Sequence, residues 1–353
     1  MRCLALLLAC LLLTGCDMLP KAREMGDMAL LRTMGVDAGE DGVLVSVSTG
    51  PRAKGVQAEG QPALVLSAEG RSLSGACLAL QGQSENYVFF GYVDQLLLGE
   101  DLARESVMPA LDYFARGERM SLGAQLWVVR GASASDAVGA GGDDGVEGRL
   151  ATLRRDGKMG VAVISRTAGE VYADLLELGA AYAPALTTGQ GDTSLVEQGY
   201  AVLKEESLVG FLRGEGAEGL ELLAGHPEQD ILDFERAGKR YSVRITGAGT
   251  SAAFLERGRV LQVTCRVEAR MAEYEVQPDE ETRQWLAQQV EQRQRVQLRT
   301  ALGQLQNWEA DCAGLGARAA MAAPELWQRL RGDWPERFGE VETQMRIEVV
   351  LRE

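Results

Sequence analysis

Leu13, Thr14, Gly15 and Cys16 close an apolar run that begins at Leu4, and the chemistry of that tetrad is acylation of a thiol. The small residues Thr14 and Gly15 expose the peptide bond ahead of Cys16. The Cys16 sulfur takes a diacylglycerol through a thioether, cleavage after Gly15 frees a new amine, and that amine takes an N-acyl chain. Length decides between a signal and an anchor: the apolar run of roughly ten residues falls short of the ~20 needed to span a bilayer. Arg2 supplies the positive charge that a signal peptide carries at its start. Residues 1–15 are therefore read as a signal peptide and Cys16 as the lipidated first residue of the mature chain. Two acyl chains, at about 0.8 kcal/mol per buried CH2, hold a protein on a membrane where one does so only marginally.

Other reactive residues are few or badly spaced. The single histidine, His226, lies between Gly225 and Pro227, in a loop, and no G-x-S-x-G elbow supplies a serine for it to activate. One histidine and scattered cysteines do not make a zinc site, so neither a metal nor a cofactor is expected. Gly214, Gly216 and Gly219 match G-x-G-x-x-G, but Glu215 and Glu218 inside it would repel a pyrophosphate. In a chain with 42 glycines the match is read as a turn. Asp37 and Asp41 ahead of Gly42 are spaced like the start of a calcium loop, yet Ser48 stands where the bidentate glutamate belongs, so a hairpin turn is expected there. No general acid and base stand out among the 51 acidic residues, and the chain is read as non-enzymatic.

The elements around these residues follow from composition and period. The 353 residues carry a net charge of −15 spread without a basic face, which argues against nucleic acid as a partner. Lys21 and Arg23 are offset by Asp17, Glu24 and Asp27, so the lipid must supply the membrane attachment. Of six cysteines, Cys3 and Cys10 leave with the signal and Cys16 is acylated. Cys77, Cys265 and Cys312 sit in apolar patterns as buried thiols, although an oxidising compartment permits one bridge among them.

Met28 to Val36, a turn, and Val43, Val45 and Val47 at period two predict a hairpin. Leu73, Ala76, Cys77 and Leu80 predict a helix, Tyr87 to Leu98 a long strand, Asp101 to Ala115 a helix and Leu122 to Val129 a strand. The Gly, Ala, Ser and Asp-rich stretch 131–148 is expected to be a loop or boundary. A strand at 159–164, a helix near 171–178 and a second boundary at 187–194 follow. Strict alternation from Leu261 to Arg270 predicts a strand with one wet face, a polar Gln-rich helix runs from Pro278 past Trp308, and residues 341–351 form a closing strand. Strands and helices mix without regular βαβ alternation, so the fold class is α+β, a multi-domain ectodomain with mixed sheets and a long C-terminal helix packed on one of them. The expected units are 1–15, 16–190, with a possible subdivision near 131–148, and 191–353.

The C-terminal pattern Asp311, Cys312, Ala313, Gly314, Leu315, Gly316, followed by Pro324, Leu326, Trp327, Leu330, Trp334 and Phe338, resembles the Ger(x)C family, the lipoprotein C subunits of spore nutrient-germinant receptors. The likeness extends to Gly199 through Lys204, to Leu208, Val209, Gly210 and Leu212, and to Gly99 through Ala103. Arg23 with Glu24, Gly35 through Asp37, and Arg130 with Gly131 complete it. Departures are an Asp17 where an aromatic residue usually follows the cysteine, a longer tether to Arg23, Gly91 and Tyr92 where Gly-His is common, and the 131–148 stretch. The resemblance implies an ectodomain on the outer face of the inner spore membrane, working with integral-membrane A and B subunits in nutrient-triggered germination. The residues themselves leave a second class open, a lipid-anchored solute-binding protein.

Overall fold

The computed structural model describes residues 28–50, 62–117, 120–158, 163–189, 195–226 and 230–352. The signal segment, Cys16 and the Arg23–Glu24 pair lie outside the described residues, as does most of the strand expected at 159–164. The first half runs β1 (Met28–Leu30), β2 (Thr33–Gly39), β3 (Gly42–Ser48), β4 (Val65–Gly70), α1 (Leu73–Gln81), β5 (Tyr87–Phe89) and β6 (Gln95–Gly99). It continues through α2 (Glu100–Glu105), α3 (Met108–Arg116), β7 (Gln125–Val129), α4 (Ala134–Gly139), α5 (Glu147–Lys158), α6 (Ala168–Leu178) and β8 (Ala180–Thr188). The second half runs β9 (Leu195–Lys204), β10 (Ser207–Leu212), α7 (Glu215–Ala224), β11 (Ile231–Arg236), β12 (Lys239–Leu255) and β13 (Val260–Tyr274). It ends with α8 (Glu280–Asn307), α9 (Leu315–Ala320), α10 (Pro324–Leu330), α11 (Trp334–Glu340) and β14 (Glu342–Arg352).

Eight strands form one mixed sheet in the order β10-β9-β8-β7-β6-β2-β3-β4. Its centre, β8-β7-β6-β2, is parallel and its two flanks are antiparallel. The parallel strands read as unbroken apolar runs because both faces are covered. Leu97, Trp127, Val129, Tyr182 and Tyr200 point to the face under α4, α5 and α7, whereas Leu96, Leu98, Leu126, Val128 and Ala183 point to that under α1, α3 and α6. The second sheet, β11-β12-β13-β14, pairs β13 with β14 in parallel. Its alternating Leu261, Val263, Cys265, Val267 and Ala269 are buried against Leu286, Val290, Leu302 and Leu305 of α8. One apolar cluster runs from Leu97 and Trp127 through α7 to this sheet, so the two halves share a core. The architecture is α+β with mixed sheets, as the periods imply.

Four local expectations are corrected. The Tyr87 to Leu98 run is two strands, because a turn at Phe90 to Val93 sends β5 to pair with β1 while β6 joins the large sheet. The 101–115 helix is two helices: Ser106 is extended, Val107 donates to the Glu206 carbonyl at 2.7 Å, and Pro109 opens the second one. The 131–148 stretch is not an open loop. Small Ala134 and Ala137 let α4 lie flat on the sheet with Val138 buried, and Val146 is buried too. The G-x-G-x-x-G match is a helix start, not only a turn: Gly214 (φ 50°) ends the β10 connection, and Gly216 and Gly219 lie inside α7.

Gly219 is there for space, since a Cβ on it would run into the Gln297 carbonyl oxygen of α8. The same contact buries Gln294 and Gln297, so the Gln-rich face of α8 is wet only in part. Gly219→Ala is expected to lower stability by about 1–3 kcal/mol through overpacking, whereas Gly303→Ala, at an α8 site with open space around it, should raise it by about 0.5–1 kcal/mol. Denaturant midpoints of the two variants measure both signs.

Candidate functional site

Three of the sequence segments singled out above meet at one place. Gly35 to Asp37 lie on β2, Gly99 closes β6 with Glu100 after it, and Arg130 and Gly131 follow β7, where the parallel pairing of these adjacent strands ends. That edge of a parallel sheet is where open α/β folds bind ligands. Here the chain fills it with itself. The Asp37 carboxylate accepts the Ala134 N–H at 2.7 Å and the Ser135 N–H at 2.8 Å, at the start of α4. A Cβ on Gly99 would collide with that carboxylate, and one on Gly35 would press on Ala134 and Val138. Glu100 accepts from Gly131 N–H at 2.9 Å and from Arg104 at 2.6 Å. Burial pushes the Asp37 carboxyl above the ordinary range, against the pull of its two N–H donors. Asp37 is thus a cap for a distant helix and takes no part in a calcium loop.

The C-terminal pattern has an equally local cause. The Asp311 carboxylate is buried and accepts three N–H groups: Leu315 at 2.8 Å, Gly316 at 2.7 Å and the Trp334 indole at 2.9 Å. Gly314 is left-handed at φ 67°, which turns the chain so that α9 begins over the carboxylate. Gly316 has no side chain because the rings of Trp334 and Trp327 lie where a Cβ would go. Trp334 meets Phe254 and Trp327 with centroids 5.4 Å from each, and Phe338 at 6.0 Å. The spacing Asp-x-x-Gly-x-Gly is one capping device, and the tryptophans are core. Burial pushes the Asp311 carboxyl up, opposed by its three donors.

The remaining candidates are dispersed. Cys77, Cys265 and Cys312 are each buried and unbridged, on α1, on β13 and after α8. Burial raises all three thiols, which lowers the fraction present as thiolate. His226 is exposed after α7, and its ring stands at the rim of a cleft of about 660 Å³. Arg166 lies deeper in that cleft, bonded to Asp174 at 2.6 Å with its guanidinium 4.4 Å from the Tyr182 ring centroid. Lys158 and Glu170 line the same cleft. The sequence reading missed Arg166 and Tyr182, because a helix flank and a strand with no shared motif bring them together. Among the described residues no three His, Cys, Asp or Glu side chains gather as a metal site, and no helix is long and apolar enough to cross a membrane.

Asp311→Asn replaces one acceptor by an amide that faces N–H donors. It is expected to cost about 1.5–3 kcal/mol and to loosen the Trp334 cluster, read as a lower denaturation midpoint with a red shift of tryptophan emission. Asp37→Asn, with two donors on two different oxygens, should cost a similar amount without touching the fluorescence.

Comparisons with known proteins fall on the same geometry. Residues 21–188 match the family model for the spore germination protein N-terminal domain, and residues 198–353 match that for the spore germination B3/GerAC-like C-terminal region. A Bacillus subtilis (strain 168) protein named for spore germination, YfkR, is 25% identical over 365 residues, spanning 97% of this chain and 93% of its own. The crystal structure of the GerBC protein has the same fold at a TM-score of 0.62 and 15% identity, with 91% of this chain and 97% of that one covered. Both halves of the chain, with the carboxylate caps at Asp37 and Asp311, therefore belong to the Ger(x)C family of spore germination proteins.

Proposed function

We propose that this chain is a lipid-anchored, non-enzymatic subunit of a spore germinant receptor, required for nutrient-triggered germination together with integral-membrane A and B subunits. The observation that carries the reading is order: a lipobox tetrad stands directly ahead of two germination-family regions that run to the last residue. Attachment is through Cys16, acylated on sulfur and on the amine freed after Gly15, as the tetrad Leu13 to Cys16 implies. The anchor holds units 16–190 and 191–353 at the outer face of the inner spore membrane. There it favours assembly by raising the local concentration of the ectodomain beside its partners. The carboxylate caps support a scaffold, because each carboxylate is spent on the backbone of a helix.

Two outcomes test this. Cys16→Ala should abolish lipid labelling and release the ectodomain from membranes; a variant that keeps both its label and its membrane would overturn the anchor. Deleting the gene in its spore-forming host should leave dormancy intact and slow or abolish germination on at least one nutrient. Wild-type germination on every nutrient counts against the receptor role.

The Arg166 cleft favours a second reading, a solute-binding protein, because it has the volume of a small-ligand site and joins residues from both family regions. Against it stands the internal pairing of Arg166 with Asp174 and Tyr182, which already engages one end of the guanidinium and leaves only its buried Nε without a hydrogen-bond partner. A solute bound at one hundred times its Kd adds about 2.7 kcal/mol, visible as a rise in melting temperature. A panel of small carboxylates, amines and sugars that leaves the melting temperature unchanged would dispose of this reading.

A further inference from the structure

A groove of about 450 Å³ opens between α1 and α3, with Cys77, Val88 and Tyr113 as its floor and Leu78, Phe90 and Met120 at its rim. None of its described lining residues is charged, in a chain where charged residues make up 25% of the total. Leu78 is 76% exposed on α1, although the other leucines of that helix, Leu73 and Leu80, are buried. Helical period puts Leu78 on the opposite side from them, so the core does not account for it. The Tyr92 ring, 51% exposed, packs 5.7 Å from Phe89 just past the turn after β5.

The position of this groove in the chain says what covers it. Tyr87 and Val88 of β5 line it, and Tyr87 pairs with Met28, the first described residue. Only residues 17–27 separate Met28 from Cys16. Fully extended at about 3.5 Å per residue, they keep the groove within about 40 Å of the membrane surface. We propose, resting on the anchored-subunit reading above, that this groove receives an apolar ridge of an extramembrane segment of an integral-membrane partner protein. A bilayer is the weaker occupant on two counts. The groove is concave, whereas interfacial binding needs a protruding apolar face, and its described lining carries no Lys or Arg to draw a surface onto anionic lipid. A protein segment carrying two or three apolar side chains at helical spacing matches both its shape and its neutrality.

The test uses the full chain in membranes of its spore-forming host, with a photoreactive benzoyl-phenylalanine at position 78 or, as control, at exposed Ala79. The expected result is a crosslink from position 78, and not from 79, into an apolar segment of a protein that has membrane-spanning helices of its own. Leu78→Asp should then lower recovery of that protein with the chain at least tenfold. Ala79→Asp should not, and both variants should melt within a degree or two of wild type because both positions are exposed. Crosslinking to phospholipid would replace the proposal by a bilayer contact. Absence of a crosslink, or unchanged recovery with Leu78→Asp, would overturn it. Lipid labelling of Cys16 in the same membranes is scored separately: an unlabelled Cys16 beside a position-78 crosslink removes the anchor and leaves the groove, and a labelled Cys16 without a crosslink does the reverse.

Discussion

The antiparallel pairing of β8 with β9 is the constraint on which the molecule depends. It runs from Ala180 opposite Lys204 to Thr188 opposite Leu195 and carries one register shift, at Pro184 to Leu186, where proline has no N–H to give. Through it, strands from the second family region complete a sheet begun by the first. The face that β8 and β9 share then continues into α7, α8 and the second sheet as one apolar cluster.

The two carboxylate caps show how polar groups are spent in such a scaffold. Asp37 and Asp311 are both buried, and both accept backbone N–H groups of helices that follow far along the sheet or just after a turn. Each satisfies donors that would otherwise be orphaned at a helix start. Their geometry explains the surrounding glycines without appeal to chemistry on a substrate: Gly99 makes room for one carboxylate, and Gly314 and Gly316 bring α9 and the Trp334 ring onto the other. Both buried aspartates are thus in structural use, and interest falls on the surface between α1 and α3 and on Cys16.

Much of this was legible in the residues, and the failures have physical causes. The alternation from Leu261 to Ala269 specifies β13 and its buried face because a strand has period two and one side of that sheet is solvent. The 3.6 period of Leu73, Ala76, Cys77 and Leu80 specifies α1 for the corresponding reason. The 131–148 stretch was read as open because alanine and glycine look like loop formers, when their smallness is what lets α4 approach the sheet. The Tyr87 to Leu98 run hid a turn because apolar residues continue on both sides of it and β6, buried throughout, has no alternation to mark where a new strand begins.

The sequence by itself determined the α+β class and the family, since periodicity, composition and motif are local properties, and it supplies the Leu13 to Cys16 tetrad on which the proposed anchor rests. Only the tertiary structure decided that Asp37 caps α4, that Asp311 holds Trp334, that Arg166 meets Asp174 and Tyr182 in a cleft, and that Leu78 overhangs a groove whose described lining is uncharged. Each of those joins residues brought together by strand order and helix packing, and contacts of that kind leave no period in the chain from which they could be read.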